Sequence, residues 1–371
     1  MTLLAAAVAG TALFSPKPVR ADESEAGWVA LFNGKDLTNW VNVNCAPETW
    51  SVGDGVIHCT GKPIGALRTP RMYENFVLEL EWRHLTKGGN AGIFVWASPI
   101  AAPGVPFLRA IEVQVLDEGF NVKGKNEWYT THGDVFPIHG TTMNPIHKGN
   151  GMRCFPIEER SLPTPQWNHY RIEGNAGRLR LSVNGKEVSG GDECNWRKGY
   201  LGLESEGAPT EWRNIRIKEL PPTGAAAAAQ TAPEDAGWKS VFSGIDLRGW
   251  KTEKEAAWKA GDWQLHAEAG APALRTAQTI TGDFSLVVDC HCDAIEPGSE
   301  PSVLAGALRV PLTGKARTWT RFTLTAKNRK VSIQSGQAAA VECGELPEGA
   351  VELSLSPGSK AAMFANVYLK Q

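Results

Sequence analysis

The densest candidate chemistry in this chain lies between residues 109 and 169. In Arg109-Ala-Ile-Glu-Val-Gln-Val-Leu-Asp117, the apolar Ile111, Val113 and Val115 alternate with Glu112 and Gln114. A period of two sends the carboxylate and the amide to the strand face opposite the apolar one. If that face lines a concave sheet, Glu112 and Gln114 stand side by side above a cleft. The plain alternative is a solvated strand face. Half of the chain's eight His, namely His132, His139, His147 and His169, follow within a short stretch, with Asp134 among them. Imidazole is suited to moving protons near neutral pH, and Glu112 could orient such a His or act as the base itself. Tyr129 to Thr141 is too polar and turn-rich for a core strand, and long irregular loops of this kind usually carry function. Arg153 and the Glu158-Glu159-Arg160 run could clamp sugar hydroxyls or form surface ion pairs. Glu204 and Glu206 share a strand face, and such a pair could supply the acid and the nucleophile or base that glycosidases need, or else they are exposed strand-end residues. His132, Asp134 and His139 could also gather round a metal ion, but their spacing matches no standard motif. No cofactor is expected.

The elements that must position these groups are strands. Phe76, Leu78, Leu80 and Trp82 face one way while Glu79, Glu81 and Arg83 face the other. Leu179, Leu181 and Val183 alternate likewise and end on Asn184-Gly185, a type I′ hairpin signal. One-sided burial with hairpin turns predicts antiparallel sheets packed face to face, an all-β jelly-roll sandwich.

The chain holds that pattern twice. Gly27-Trp28-Val-Ala-Leu-Phe-Asn-Gly-Lys-Asp-Leu-Thr-Asn-Trp40 recurs as Gly237-Trp238-Lys-Ser-Val-Phe-Ser-Gly-Ile-Asp-Leu-Arg-Gly-Trp250, and Phe76 pairs with Phe284 at an offset of 208. Near the end Trp212-Arg-Asn-Ile-Arg-Ile-Lys218 pairs with Phe364-Ala-Asn-Val-Tyr-Leu-Lys370 at an offset of 152, so the second copy has lost 56 residues. The loss falls opposite residues 97 to 166, where the polar chemistry sits. The predicted map is a signal segment at 1–21, a jelly roll over 22–220, an Ala/Pro linker over 221–236 and a second, smaller and degenerate jelly roll over 237–371. That second module is expected to lack a cleft and to keep Cys290 and Cys292 in its core. A chain ending near Leu220 is expected to fold and keep any activity. Trp28 with Trp40, and Trp238 with Trp250, are expected in equivalent buried places.

Composition narrows the function. Lys and Arg number 38 against 40 Asp and Glu, with no basic run, so a nucleic-acid partner is not expected. The 14 Trp suit stacking on sugar rings as well as core filling. Leu3 to Phe14 is too short to span a bilayer but fits the apolar part of a signal peptide, so export to periplasm or medium is expected. The seven Cys would leave at least one thiol unpaired; Cys45, Cys59, Cys154 and Cys194 allow two bridges in three connectivities. No CxxC pair exists for a thiolate zinc site.

The motifs GWVALFNGKDLTNW, WSVGDGVI, GNAGIFVW, IEVQVLD, QWNHYRI, VNGKEV and EWRNIRIKEL run in order across residues 27 to 220. Together they resemble the 3-keto-disaccharide hydrolase domain family. The resemblance implies a concanavalin-lectin-like jelly roll acting on sugars oxidised at C3. It also implies that Glu112, Gln114 and Asp117, matching the family's E-x-Q-x-x-D strand, line the cleft. Trp96 stands where many members have Arg, and Glu204 and Glu206 replace the Gln and His of the commoner G-L-Q-x-H-G form. HGDVFPIHG and RCFPIEER resemble features of a subgroup. The implied chemistry is coherent: a C3 ketone acidifies the C2 proton, the enolate expels the C1 substituent, and water adds across the double bond. His132 or Glu112 is then the base, and Arg153 or Gln114 polarises the ketone. The other reading carried forward is a non-catalytic pair of carbohydrate-binding jelly rolls.

Overall fold

The period-two runs become antiparallel strands because each has one apolar face that its hairpin neighbours match. In the computed structural model, which describes residues 26–121, 128–130 and 132–371, they form two β-sandwiches. The signal segment expected at 1–21 lies outside the described residues.

The first sandwich has a nine-stranded back sheet. It runs from Asn144–Pro145 through Lys186–Asp192, Arg178–Val183, Asn168–Asn175, Phe76–His84, Thr210–Glu219 and Val56–Cys59 to Trp50–Gly53, with Trp28–Ala30 also on Thr210–Glu219. Its eight-stranded front sheet runs from Gly149–Asn150 through Arg153–Cys154, Val135–Ile138, Ala110–Leu116, Asn90–Ala97, Tyr200–Ser205 and Gly65–Arg68 to Val41–Val43. Phe76, Leu78, Leu80 and Trp82 meet Ile93, Val95, Ile111, Val113 and Val115 between the sheets, as their alternation predicts. Asn184 and Gly185 both have positive φ, 46° and 86°, as a type I′ turn requires.

The second jelly roll repeats the strand order on a smaller scale. Its back sheet runs Val341–Glu345, Lys330–Ser335, Thr320–Lys327, Phe284–Cys292, Ala362–Lys370, Gln264–Ala267 and Trp258–Gly261, with Lys239–Ser240 on Ala362–Lys370. Its front sheet has five strands, ending at Leu308–Pro311. Counterparts of Val135–Ile138, Arg153–Cys154 and Gly149–Asn150 are absent among the described residues. Cys290 and Cys292 lie in the second core. All seven cysteines are free thiols, so neither of the two bridges left open by the sequence is formed. Trp250 is buried and Trp40 packs half-buried on the first core. Trp28 and Trp238 are half-buried under Arg216 and Lys370 respectively, in matching places.

The sandwiches are joined through a buried seam. Phe94, Ala97, Ala110 and Tyr200, on the outer face of the first front sheet, and Leu108 in the loop beside it form one buried cluster with Val287 and Tyr368 from the second back sheet. The connecting segment, patternless in sequence, is strapped along the first sandwich. Arg197 N–H donates to Gln230 O (2.8 Å), Ala232 N–H donates to Lys198 O (2.8 Å), and Arg68 Nη2 donates to Asp235 (2.5 Å). A cut at residue 220 would therefore strip a covered apolar face, which the reading of a dispensable second module did not foresee.

Candidate active site

The outer face of the first front sheet is half covered by the seam, and the uncovered half is a cleft. Strand register builds it. Glu112 lies opposite Phe94 on one side and Phe136 on the other, Gln114 lies opposite Gly92, and Asn90 bridges to Glu206. The cavity is about 240 Å³, lined by Asn90, Phe107, Glu112, Gln114, Phe136, Ile138, His139, Glu204 and Glu206. Gly92 lets the carboxyls converge: a Cβ there would stand 2.7 Å from Glu204 Oε2 and 2.8 Å from Glu112 Oε1.

Three carboxyls in one buried place cannot all ionise. Burial, then the charge of Glu206, pushes Glu112 up to about 8, while Arg153 pulls the other way. Glu204 is 1 % exposed; burial and both neighbouring carboxyls hold it well above the usual range. Burial also raises Glu206 to about 7, against a hydrogen bond from Glu204 that favours its charged form. Glu204 Oε2 is buried with no hydrogen-bond partner. Near neutral pH, Glu112 and Glu204 thus hold their protons and Glu206 is poised to exchange one.

An ordered chain of donors and acceptors runs behind them. Asn90 Nδ2 donates to Glu206 Oε2, and Gln114 Nε2 donates to Asn90 Oδ1 (3.0 Å) and Ala91 O (3.2 Å). Arg153 Nη2 donates to Gln114 Oε1 (2.7 Å), and Arg153 Nε donates to the fully buried Asp134 (2.6 Å). The Arg153 guanidinium also lies 3.5 Å from the Phe136 ring centre. Burial raises the Asp134 pKa, with Arg153 and Thr130 opposing. His139, with positive φ at 53°, lies parallel to Phe107 at 5.9 Å, and burial lowers its pKa, so the ring is neutral at pH 7.

Of the residues singled out from sequence, Glu112, Gln114, His139, Glu204 and Glu206 meet in the cleft, and Asp134 and Arg153 stand directly behind Gln114. The structure does not bring His132 to Glu112. His132 is buried beneath residues 160–161, where Ser161 N–H (3.1 Å) and Arg160 N–H (3.3 Å) approach Nε2 and Nδ1 bonds Ser161 Oγ (2.5 Å). Donation into Nε2 fixes the proton on Nδ1, and burial lowers its pKa to about 4. Trp96 is a core residue: it is fully buried, and Nε1 donates to Glu74 O (3.0 Å). Asp117 organises loops by accepting from Gly88 N–H (2.7 Å), Gly119 N–H (2.9 Å) and Thr164 N–H (3.2 Å). His132, Asp134 and His139 do not gather round one point, and no trio of His, Cys, Asp or Glu fit for a metal ion occurs among the described residues. Sequence reasoning passed over Asn90, Gly92, Phe107 and Phe136. Asn90 and Gly92 share strand parity with Phe94, a signal that required knowing which strand lies beside Ala110–Leu116.

Residues 27–218 match the family described as the 3-keto-alpha-glucoside-1,2-lyase-like domain. A 3-keto-disaccharide hydrolase of Bacteroides thetaiotaomicron is 25% identical over 241 residues, covering 55% of this chain and 80% of its own. Among solved structures, a candidate glycosyl hydrolase of Parabacteroides distasonis aligns at 22% identity and TM-score 0.44, covering 55% of this chain and 98% of its own. A β-glucanase of Bacillus licheniformis aligns at 12% identity and TM-score 0.33, covering 52% and 97%.

Proposed function

Because this chain belongs to the family of 3-keto-alpha-glucoside-1,2-lyase-like domains, we propose that its first sandwich cleaves or hydrates glycosides oxidised at C3. The observation that carries the reading is the convergence of Glu112, Glu204 and Glu206 with His139 in one cleft, two of the carboxyls titrating near neutrality. Phe107 and Phe136 in the lining would serve binding alone, but a site that only bound sugar would not need three carboxyls buried together, which is costly.

In this reading Glu206, half ionised near pH 7, takes the C2 proton made acidic by the neighbouring ketone. Asn90 holds it in place. The C1–O bond then breaks, and the departing oxygen takes the proton of Glu112, which is neutral at that pH. As Glu206 takes up that proton, Glu204 releases its hydrogen bond to Glu206 and turns the same O–H to the ketone oxygen, stabilising the enolate. Water then adds its hydroxyl to C1 and gives its other proton back to the Glu112 carboxylate, while Glu206 returns its proton to C2, so both carboxyls end as they began. Gln114, fixed by Arg153 and Asp134, keeps Asn90 and hence Glu206 aligned.

The test is turnover of a 3-keto-disaccharide in deuterated water. Deuterium at C2 of the released 3-keto-sugar is expected. Hydrolysis of the unoxidised disaccharide without C2 label would overturn proton abstraction in favour of carboxylate attack at C1.

A further inference from the structure

We propose that the second sandwich positions one wall of the cleft, with Asn366 and Asp289 as the positioning residues that clamp the loop carrying Phe107. Residues 98–109 link Asn90–Ala97 to Ala110–Leu116, and Ala102 N–H donates to Phe107 O (2.8 Å) to close the loop on itself. The polar backbone at its tip is satisfied from the other sandwich. Gly104 N–H donates to Asp289 Oδ2 (2.7 Å), and Ala101 N–H donates to Tyr368 Oη (3.1 Å). Asn366 Nδ2 reaches Val105 O (2.9 Å), Ala102 O (3.2 Å) and Asp289 Oδ2 (2.6 Å).

The clamp itself is rigid. Asp289 is fully buried and held by Arg321 through Nε to Oδ1 (2.7 Å) and Nη2 to Oδ2 (2.9 Å). Asn366 is buried and accepts at Oδ1 from Asn44 Nδ2 (2.6 Å). Contact is too close for any side chain at position 104, where a Cβ would stand 2.4 Å from that of Trp319. Unpaired, these buried loop groups would each forfeit a hydrogen bond, so the loop follows the second sandwich. Phe107 at the end of the loop lines the cleft and lies flat against His139, with an interplanar angle of 6°. The second sandwich thus sets the cleft's shape without contributing a side chain to its lining.

That this wall matters to ligand rests on the function proposed above; the clamp does not, and the experiment separates the two. In the full-length chain, the ring-proton resonances of His139 are expected to be displaced from free-histidine positions by the ring current of the parallel Phe107. Asn366→Gly, which tolerates the positive φ of 50° at this position, is expected to move them toward free-histidine positions and to speed amide exchange over 101–107. Asp289→Asn is expected to do the same to a smaller degree, and Lys360→Ala, on the exposed surface of the second sandwich, to do neither. Affinity for methyl 3-keto-α-glucoside is expected to fall about tenfold in Asn366→Gly, with kcat at saturation changing less. Unmoved His139 resonances in a folded Asn366→Gly protein overturn the clamp. Moved resonances with unchanged affinity overturn its bearing on the cleft. If the keto-glucoside fails to bind the parent protein while the resonances move, the clamp stands and the proposed substrate falls.

Discussion

Glu112→Gln isolates one buried carboxyl from its neighbours. Glutamine keeps the shape of the protonated acid, so the variant should match the parent where Glu112 is neutral in both folded and unfolded chains, below about pH 4.5. The folded chain holds the proton up to about 8 against an ordinary value of 4.5. A pKa raised on folding gives stability that is fully present below the unfolded value and is lost as pH rises through the folded one. At about 1.4 kcal/mol for each pH unit of difference, the parent should lose up to about 4–5 kcal/mol between pH 5 and pH 9 through this group. The variant should escape that share. Removing the Glu112 charge also eases ionisation of Glu204, where it is the second cause of the rise. Urea denaturation of both proteins at pH 5, 7 and 9 measures the difference directly. The activity profile supplies a second readout: an ascending limb near 7 from Glu206 and a descending limb near 8 from Glu112, the latter missing in any residual activity of Glu112→Gln. Parallel stability curves for the two proteins would refute the raised carboxyl and with it the assignment of Glu112 as acid.

Gly92→Ala should abolish turnover in a folded protein whose melting temperature is lowered. Its Cβ would stand 2.7 Å from Glu204 Oε2, 2.8 Å from Glu112 Oε1 and 3.1 Å from Glu112 Cγ, and overfilling a buried site costs about 1–3 kcal/mol. Arg153→Met takes the counter-charge from the buried Asp134 carboxyl, leaving only the Thr130 hydrogen bonds, and should cost up to about 3–5 kcal/mol in a denaturation titration. His132→Ala should lower stability by about 1–3 kcal/mol while the folded fraction keeps its kcat, because the lost bonds are to Ser161 and the backbone. A chain ending at residue 220 should bind a hydrophobic dye and self-associate, because Phe94, Leu108 and Tyr200 lose their cover.

What was legible in the sequence was whatever follows from local alternation. The strand Phe76–His84, the Asn184-Gly185 turn and the outward placement of Glu112 and Gln114 all follow from a period of two and one apolar face. The cleft residues on neighbouring strands did not, because register between strands distant in sequence depends on the assembled sheet. Glu204 and Glu206 could be paired with each other from sequence, but their meeting with Glu112 across Asn90–Ala97 could not. His132 misled for a related reason. A histidine in a polar loop resembles a proton carrier until its ring nitrogens are accounted for, and here the backbone of residues 160–161 occupies one and Ser161 the other. Trp96 was drawn in by its place in the family pattern, whereas its indole fills the core against Phe76.

The seam explains why the second sandwich can lack a cleft block and still matter. On the first back sheet, the outward positions Glu79, Glu81, Arg171, Arg213 and Arg216 form a solvated lattice of ion pairs, with Glu79 bonded to Arg171 (3.1 Å) and Arg216 (2.8 Å) and Glu81 to Arg213 (2.6 Å). At the matching positions of the second back sheet stand Val287, Asp289, Thr323, Ala365 and Tyr368. Four of five charges have been replaced, and Val287, Ala365 and Tyr368 are buried in the assembled chain. A face that keeps one sheet in water has become a face that covers another. The one charge retained, Asp289, is not left over from the lattice: it is paired with Arg321 and aimed at the backbone of Gly104. Burying an isolated carboxylate at that interface would destabilise it, so its full pairing marks a group kept for the contact it makes. The same substitutions that end the second sheet's independence from the first sandwich therefore also fix the loop from which Phe107 reaches the cleft.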